Sequence, residues 1–125
     1  MMSHGFPNQF FTGFTQAGVS ANTTAMFEQQ GSHIACIINE TLARGAVTVE
    51  PRRQAQDQWV RIIRETSITD RKFWRECTPG YYNNESEEMF RSHPGEPYGP
   101  GFYAFDRLLK EWRDKGEMKG LVLGT

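Results

Sequence analysis

Gly5-Phe6-Pro7-Asn8-Gln9-Phe10-Phe11-Thr12-Gly13 leads directly into a polar turn and a helix start, Ala21-Asn22-Thr23-Thr24-Ala25-Met26-Phe27-Glu28-Gln29. Phe10 and Phe11, flanked by Phe6 and Phe14 and bounded by Pro7-Asn8 and Gly13, suit a buried strand of a parallel sheet. Such a strand needs neighbours on both sides. The other strand-like run is Ala46-Val47-Thr48-Val49, and two short strands make no independently stable sheet. The segment therefore reads as the last strand and helix of a larger sheet protein. The alternative is an apolar amino-terminal extension covering a small helical core, and aromatic spacing alone does not separate the two.

Outward from this stretch, the first helix begins at Asn22 or Thr23, either of which can cap its free N–H groups, and continues to about Arg44, where Gly45 stops it. Phe27, Ile34, Ile37, Ile38 and Leu42 form its apolar stripe. Ala46 to Glu50 is a short extended piece. Pro51 suits the first turn of a second helix running to about Ser67, with Ala55, Trp59, Ile62 and Ile63 inward. Asp70 opens a third, shorter helix. From Thr78 to Gly101, Pro79-Gly80, Asn83-Asn84, Pro94-Gly95 and Gly99-Pro100-Gly101 make a long loop with Tyr81, Tyr82, Phe90 and Tyr98 as aromatic anchors. Loops of that length are functional or docked on another part of the protein. A last helix runs from Phe102 to about Lys115, with Phe105, Leu108, Leu109 and Trp112 inward.

Composition limits the partners. The 125 residues fit at most one domain, and 14 basic against 15 acidic residues give a net charge of −1, without the basic footprint that phosphate backbones require. Nucleic acid is excluded as an expected partner. Arg52, Arg53, Arg61 and Arg64 alternate with Glu50, Asp57 and Glu65, as on a solvated helix face. No stretch approaches the roughly 20 apolar residues of a membrane span. Met1-Met2-Ser3-His4 lacks the features of a secretory signal, so the expected compartment is the cytoplasm and Cys36 and Cys77 read as free thiols.

Self-contained chemistry is missing from the pattern. His4, His33 and His93 lie far apart with no Cys or carboxylate at metal-ligand spacing, so no metal site is expected. Ser20 and Ser32 lack a nucleophile elbow, and Glu28 with His33 reads as helix surface. No catalytic residue is assigned.

The order Gly5-Phe6-Pro7-Asn8, two aromatics, Gly13, a polar loop, Ser20-Ala21-Asn22 and a helix carrying Glu28-Gln29 resembles the carboxy-terminal part of the Baeyer–Villiger monooxygenases, which use FAD and NADPH. Glu76-Cys77-Thr78-Pro79-Gly80-Tyr81-Tyr82-Asn83-Asn84-Glu85, then Phe102 to Trp112-Arg113 and Lys119-Gly120-Leu121, resembles the subgroup acting on steroid-like or large-ring ketones. The resemblance runs from about Gly5 to Leu121.

That resemblance implies an α+β, mostly helical fragment. Residues 5–45 would supply the final strand and helix of a Rossmann-like FAD-binding domain, and residues 46–125 a helical cap with the long loop at 78–101. It implies a flavin contact through the backbone N–H groups of Asn22, Thr23 and Thr24, at a helix start that favours negative charge. It also implies a ketone pocket lined by Phe14, Thr15, Gln16, Ala17, Gly18 and Val19. The parent would insert one oxygen atom of O2 beside a ketone carbonyl to give an ester or lactone. The chain departs from the family in lacking both Gly-x-Gly-x-x-Gly motifs, for FAD and for NADPH, and in carrying Gly13-Phe14 where the family commonly has Gly-Pro. The arginine that supports the reacting flavin also lies upstream of these residues. The isolated chain is therefore expected to be inactive and flavin-free, with missing amino-terminal FAD and NADPH domains as its partners and Met1 an internal methionine. A truncated helical module that binds a protein partner without catalysis remains the alternative.

Overall fold

Helix ends and turn chemistry place the elements almost where the residue pattern puts them. A computed structural model describes residues 1–67 and 96–125; the expected helix at Asp70 and the loop residues 78–95 lie outside these. The chain is mostly helical, with α1 at Thr23–Ala43, β1 at Thr48–Pro51, α2 at Arg53–Thr66, α3 at Phe102–Lys115 and β2 at Leu121–Gly124. α1 ends in a Schellman motif: Ala46 N–H donates to Thr41 O at 3.1 Å and Gly45 N–H to Leu42 O at 2.9 Å, with Gly45 at φ 68°. α3 closes on Gly116 in the left-handed region, and the Arg44 guanidinium donates to Gly116 O, tying the ends of α1 and α3 together.

The sheet joins distant parts of the sequence. β1 and β2 pair antiparallel, with Val49 opposite Leu123 and Pro51 opposite Leu121. Pro51 therefore ends a strand rather than starting a helix. It has no N–H to give, and Arg52 N–H makes the next bond, to Gly120 O at 2.8 Å. Two strands alone are marginal. They are held from below by a cluster of Ile37, Val49 and Met118, with Phe10, Trp112, Leu121 and Leu123 packed around it.

The expected buried strand at Phe10-Phe11 does not form. Residues 5–14 are turns and irregular chain, and Phe6, Phe11 and Phe14 are exposed. At one end the segment is tied to the start of β1 through both the backbone and the side chain of Asn8. Asn8 Nδ2 donates to Val47 O at 3.0 Å, Asn8 Oδ1 accepts from Val49 N–H at 2.9 Å, and Asn8 N–H donates to Val49 O at 2.9 Å. At the other end Gln30, fully buried, accepts from Gly13 N–H and donates to Gly13 O, both at 2.9 Å.

The apolar stripe expected on α1 faces the wrong way for a core. The buried residues of α1 are Met26, Gln29, Gln30, His33, Ile37 and Thr41, whereas Phe27 is 45% exposed, Ile38 40% and Leu42 66%. Of the expected stripe, only Ile37 is fully buried. The core meets the helix a quarter turn away, where Gln30 must reach Gly13. Ile62 and Leu108 are likewise exposed, because α2 turns Ile63 and α3 turns Phe105 and Leu109 inward.

Residues 96–101 return along the end of α2. Gly99 lies so close to it that an added Cβ would fall on the Thr66 carbonyl. Gly18 is equally confined, since a Cβ there would sit 2.6 Å from Phe105 Cβ and 2.7 Å from Phe102 Cα. Gly18→Ala is expected to destabilise the chain by at least about 2 kcal/mol in urea titration, through overpacking against α3. Gly31→Ala, at a position of α1 where no atom of the described residues beyond the helix's own backbone lies within 4 Å, is expected to stabilise it by about 0.5–1 kcal/mol.

Candidate functional site

Ser20 and Asn22 shape the entry into α1. Asn22 N–H donates to Ser20 Oγ at 3.1 Å, and Asn22 Oδ1 accepts from Ala25 N–H at 3.1 Å, so Asn22 is the helix cap. Ser20 N–H meets the sulfur of fully buried Met26 at 3.2 Å, which pins the turn to the helix. The cap uses the third N–H of the helix, and Met26 N–H bonds back to Asn22 O. The N–H groups of Thr23 and Thr24 find no acceptor among the described residues. Both residues are exposed, and no acidic side chain stands in the first turn to compete. Two aligned, unused donors at the positive end of a 21-residue helix suit an anion or an electron-rich carbonyl.

The loop before this helix start divides into two kinds of residue. Ala17 and Gly18 are buried: Ala17 packs with Phe105 and Leu109, and its carbonyl accepts from Tyr98 N–H at 3.0 Å. Gln16, at φ 56°, donates its N–H to Glu96 O at 3.1 Å. Phe14, Thr15 and Val19 are exposed. Of the six residues expected to line a pocket, these three present side chains to open space, while Ala17 and Gly18 fasten the loop to α3 and to residues 96–98. Behind them Trp59 stacks on Tyr98 at 5.4 Å between ring centroids, and both approach Phe105.

Under the helix start runs a polar face that the residue pattern did not reveal as core. Gln29 Nε2 donates to Asp106 Oδ1 at 3.2 Å, and Gln29 Oε1 is buried without a partner among the described residues. His33, only 7% exposed, meets the Trp112 ring edge-on at 4.9 Å and the Arg113 guanidinium at 3.5 Å. The signal was available in the spacing: Gln29, Gln30 and His33 fall on one side of the helix with Met26 and Ile37. Apolar counting passed over it because those side chains are polar. Glu28, read together with His33 as surface, is exposed. Among the described residues no three His, Cys, Asp or Glu side chains gather to hold a metal ion, and no helix is long and apolar enough to cross a membrane.

No family model matches the chain. It is 38% identical over 117 residues to a Baeyer-Villiger monooxygenase of Streptomyces coelicolor, covering 92% of this chain and 19% of that protein. To the FAD-binding monooxygenase ausB of Penicillium brasilianum it is 37% identical over 135 aligned positions, with 97% and 21% covered. Among solved structures, the polycyclic ketone monooxygenase of Thermothelomyces thermophila superposes with a TM-score of 0.80 at 29% identity, covering 99% of this chain and 20% of that one. A steroid monooxygenase bound to NADP gives a TM-score of 0.67 at 26% identity, with 96% and 21% covered. The chain spans about a fifth of the length of the curated relatives it matches.

Burial, then the Arg113 guanidinium and the Met1 amino group, hold the His33 pKa down at about 4. His33 is therefore neutral in the fold, whereas the unfolded chain takes up its proton below about pH 6.5. The His33 contribution to stability is expected to be level above pH 7 and to fall as pH drops from 6.5 towards 4, by on the order of 2–3 kcal/mol, after an earlier loss between about pH 8 and 6 from the buried Met1 amino group, whose pKa burial lowers to about 6. Urea titrations across that range check it, and His33→Leu is expected to flatten the slope.

Proposed function

We propose that this chain, homologous over nearly all its length to one fifth of a Baeyer–Villiger monooxygenase, is the carboxy-terminal part of such an enzyme and supplies one wall of its flavin and ketone site. The observation that carries this reading is the fit of 99% of the chain onto a fifth of a polycyclic ketone monooxygenase at a TM-score of 0.80. The reaction of the whole enzyme would be insertion of one oxygen atom of O2 beside a ketone carbonyl, giving an ester or lactone, on a bulky ring ketone of the steroid or polycyclic kind. FAD would supply the oxygen activation when bound, with NADPH as reductant. The matches reported above are to monooxygenases and do not speak for a stand-alone partner-binding module.

The residues at the start of α1 fit such a cofactor. The Thr23 and Thr24 N–H groups, held in line by the Asn22 cap, would donate to the electron-rich pyrimidine edge of the flavin and favour the negative charge that gathers there on reduction. Asn22, whose N–H the resemblance expects to join them, would instead act by orienting them, since that N–H is given to Ser20 Oγ and its side chain accepts from Ala25 N–H. Phe14, Thr15 and Val19 would face the ketone, while buried Ala17 and Gly18 keep the loop in place and exclude water behind it. In this reading residues 5–45 belong with the FAD-binding part and residues 46–125 with a cap over it. The unpaired thiol of Cys36 suits a reducing, cytoplasmic setting.

Reading the source DNA upstream of the Met1 codon is expected to show the frame continuing through the glycine-rich nucleotide motifs; a stop codon directly before Met1 overturns the proposal. The purified 125-residue chain is expected to carry no flavin and to oxidise no ketone. In the full-length enzyme Thr23→Pro, at the first helical position where proline is tolerated, removes one N–H and leaves the helix intact. It is expected to lower kcat/KM by roughly tenfold or more with little change in melting temperature, as steady-state kinetics would measure.

A further inference from the structure

The side of α1 turned away from the core carries Phe27, Gly31, Ile34, Ala35, Ile38 and Leu42, which fall within one continuous stripe of the helix. Three of these are large apolar residues left substantially exposed. Gly31 adds an independent observation. In the middle of a helix glycine costs about 1 kcal/mol relative to alanine, and here, beyond the helix's own backbone, no atom of the described residues lies within 4 Å of where its Cβ would be, so no contact among them explains it. A glycine in such a place, with Ala35 one turn on, fits close approach by another backbone. The chain accounts for only 20% of the polycyclic ketone monooxygenase onto which it superposes, which leaves four fifths of a polypeptide to supply that neighbour.

We infer that this stripe is the seat of the rest of the monooxygenase polypeptide, whose apolar surface closes over Ile38 and Leu42 and comes nearest at Gly31. The inference rests on the reading of the chain as part of that enzyme and names the surface through which it is joined. The quarter-turn rotation of the helix follows from it. Gln29, Gln30 and His33 face inward because they serve the contacts within the segment, and the larger apolar residues are kept for a core that the segment shares with the rest of the enzyme.

The test compares one pair of substitutions in two settings. Gly31→Leu and Ile38→Glu are made in the isolated chain, and the residues superposing on Gly31 and Ile38 are changed to Leu and Glu in the intact polycyclic ketone monooxygenase. In the isolated chain Gly31→Leu is expected to raise the melting temperature by a few °C, through helix propensity, and Ile38→Glu to lower it by no more than about 2 °C, because Gly31 is exposed and Ile38 is 40% exposed. In the intact enzyme the melting temperature is expected to drop by about 5 °C or more, with the flavin present and after its removal. Equal losses in both settings overturn the inference, since the stripe then belongs to the segment's own fold; no loss in the intact enzyme overturns it as well. A stable dimer of the isolated chain that Ile38→Glu abolishes, seen by light scattering alongside an unaffected intact enzyme, would assign the stripe to a second copy instead. The flavin-free arm separates this from the flavin contact at Thr23: failure of that contact leaves the loss of melting temperature in place.

Discussion

The fully buried amide of Gln30 holds the peptide of Gly13 by both of its polar groups, and much of the site depends on that exchange. A buried peptide group left unpaired costs on the order of a few kcal/mol, so the chain before α1 can lie against the helix only if something replaces the strand it lacks. Gln30 does so at one end of the aromatic run; at the other, Asn8 is tied to β1, its own N–H donating to Val49 O and its side chain bonding Val47 O and Val49 N–H. Between these anchors, residues 8–13 follow an irregular path with partners at both ends. The loop at residues 14–19 therefore leaves from a fixed point and reaches the start of α1 with its turn already set by Ser20 and Asn22.

Requiring Gln30 to face inward rotates the whole of α1. Its inner side becomes Met26, Gln29, Gln30, His33, Ile37 and Thr41, and the larger apolar side chains turn outward. A small domain with a choice would bury Phe27, Ile38 and Leu42 first, since each removes about 2–3 kcal/mol of apolar surface from water when fully covered. That it buries amides and an imidazole is what the proposal of a hydrophobic core shared with the rest of the enzyme accounts for. The same logic joins the two functional ideas. On the two proposals, the helix that would offer its first N–H groups to an electron-rich partner is also the helix whose outer face would meet the remainder of the polypeptide, so its position in the enzyme would govern both.

Much of this was legible in the residues. The Asn22 cap, the Gly45 stop, the span of α3 and the inward positions Ile63, Phe105 and Leu109 all follow from local rules of capping and helical period, which act within a few residues. The candidate donors at Thr23 and Thr24 came from the same local rule combined with the family resemblance. What failed were judgements that needed a partner in space. Phe10-Phe11 has the composition of a strand but pairs with no strand among the described residues, Pro51 looks like a helix opener but ends β1, and Leu121–Gly124 becomes a strand only because Thr48–Pro51 comes to meet it.

By itself the sequence determined the spans of α1 and α3, the Asn22 cap, the Gly45 stop and the kinship with Baeyer–Villiger monooxygenases, because each rests on neighbours along the chain or on the order of motifs. Only the tertiary structure decided which face of α1 is inside and that Ala17 and Gly18 anchor the loop while Phe14, Thr15 and Val19 face outward. It alone showed the two unused N–H groups standing clear beside the Asn22 cap. Burial and hydrogen-bond satisfaction are set by contacts between residues far apart in the chain, as between Gln30 and Gly13 or Ala17 and Tyr98, and no local periodicity encodes those meetings.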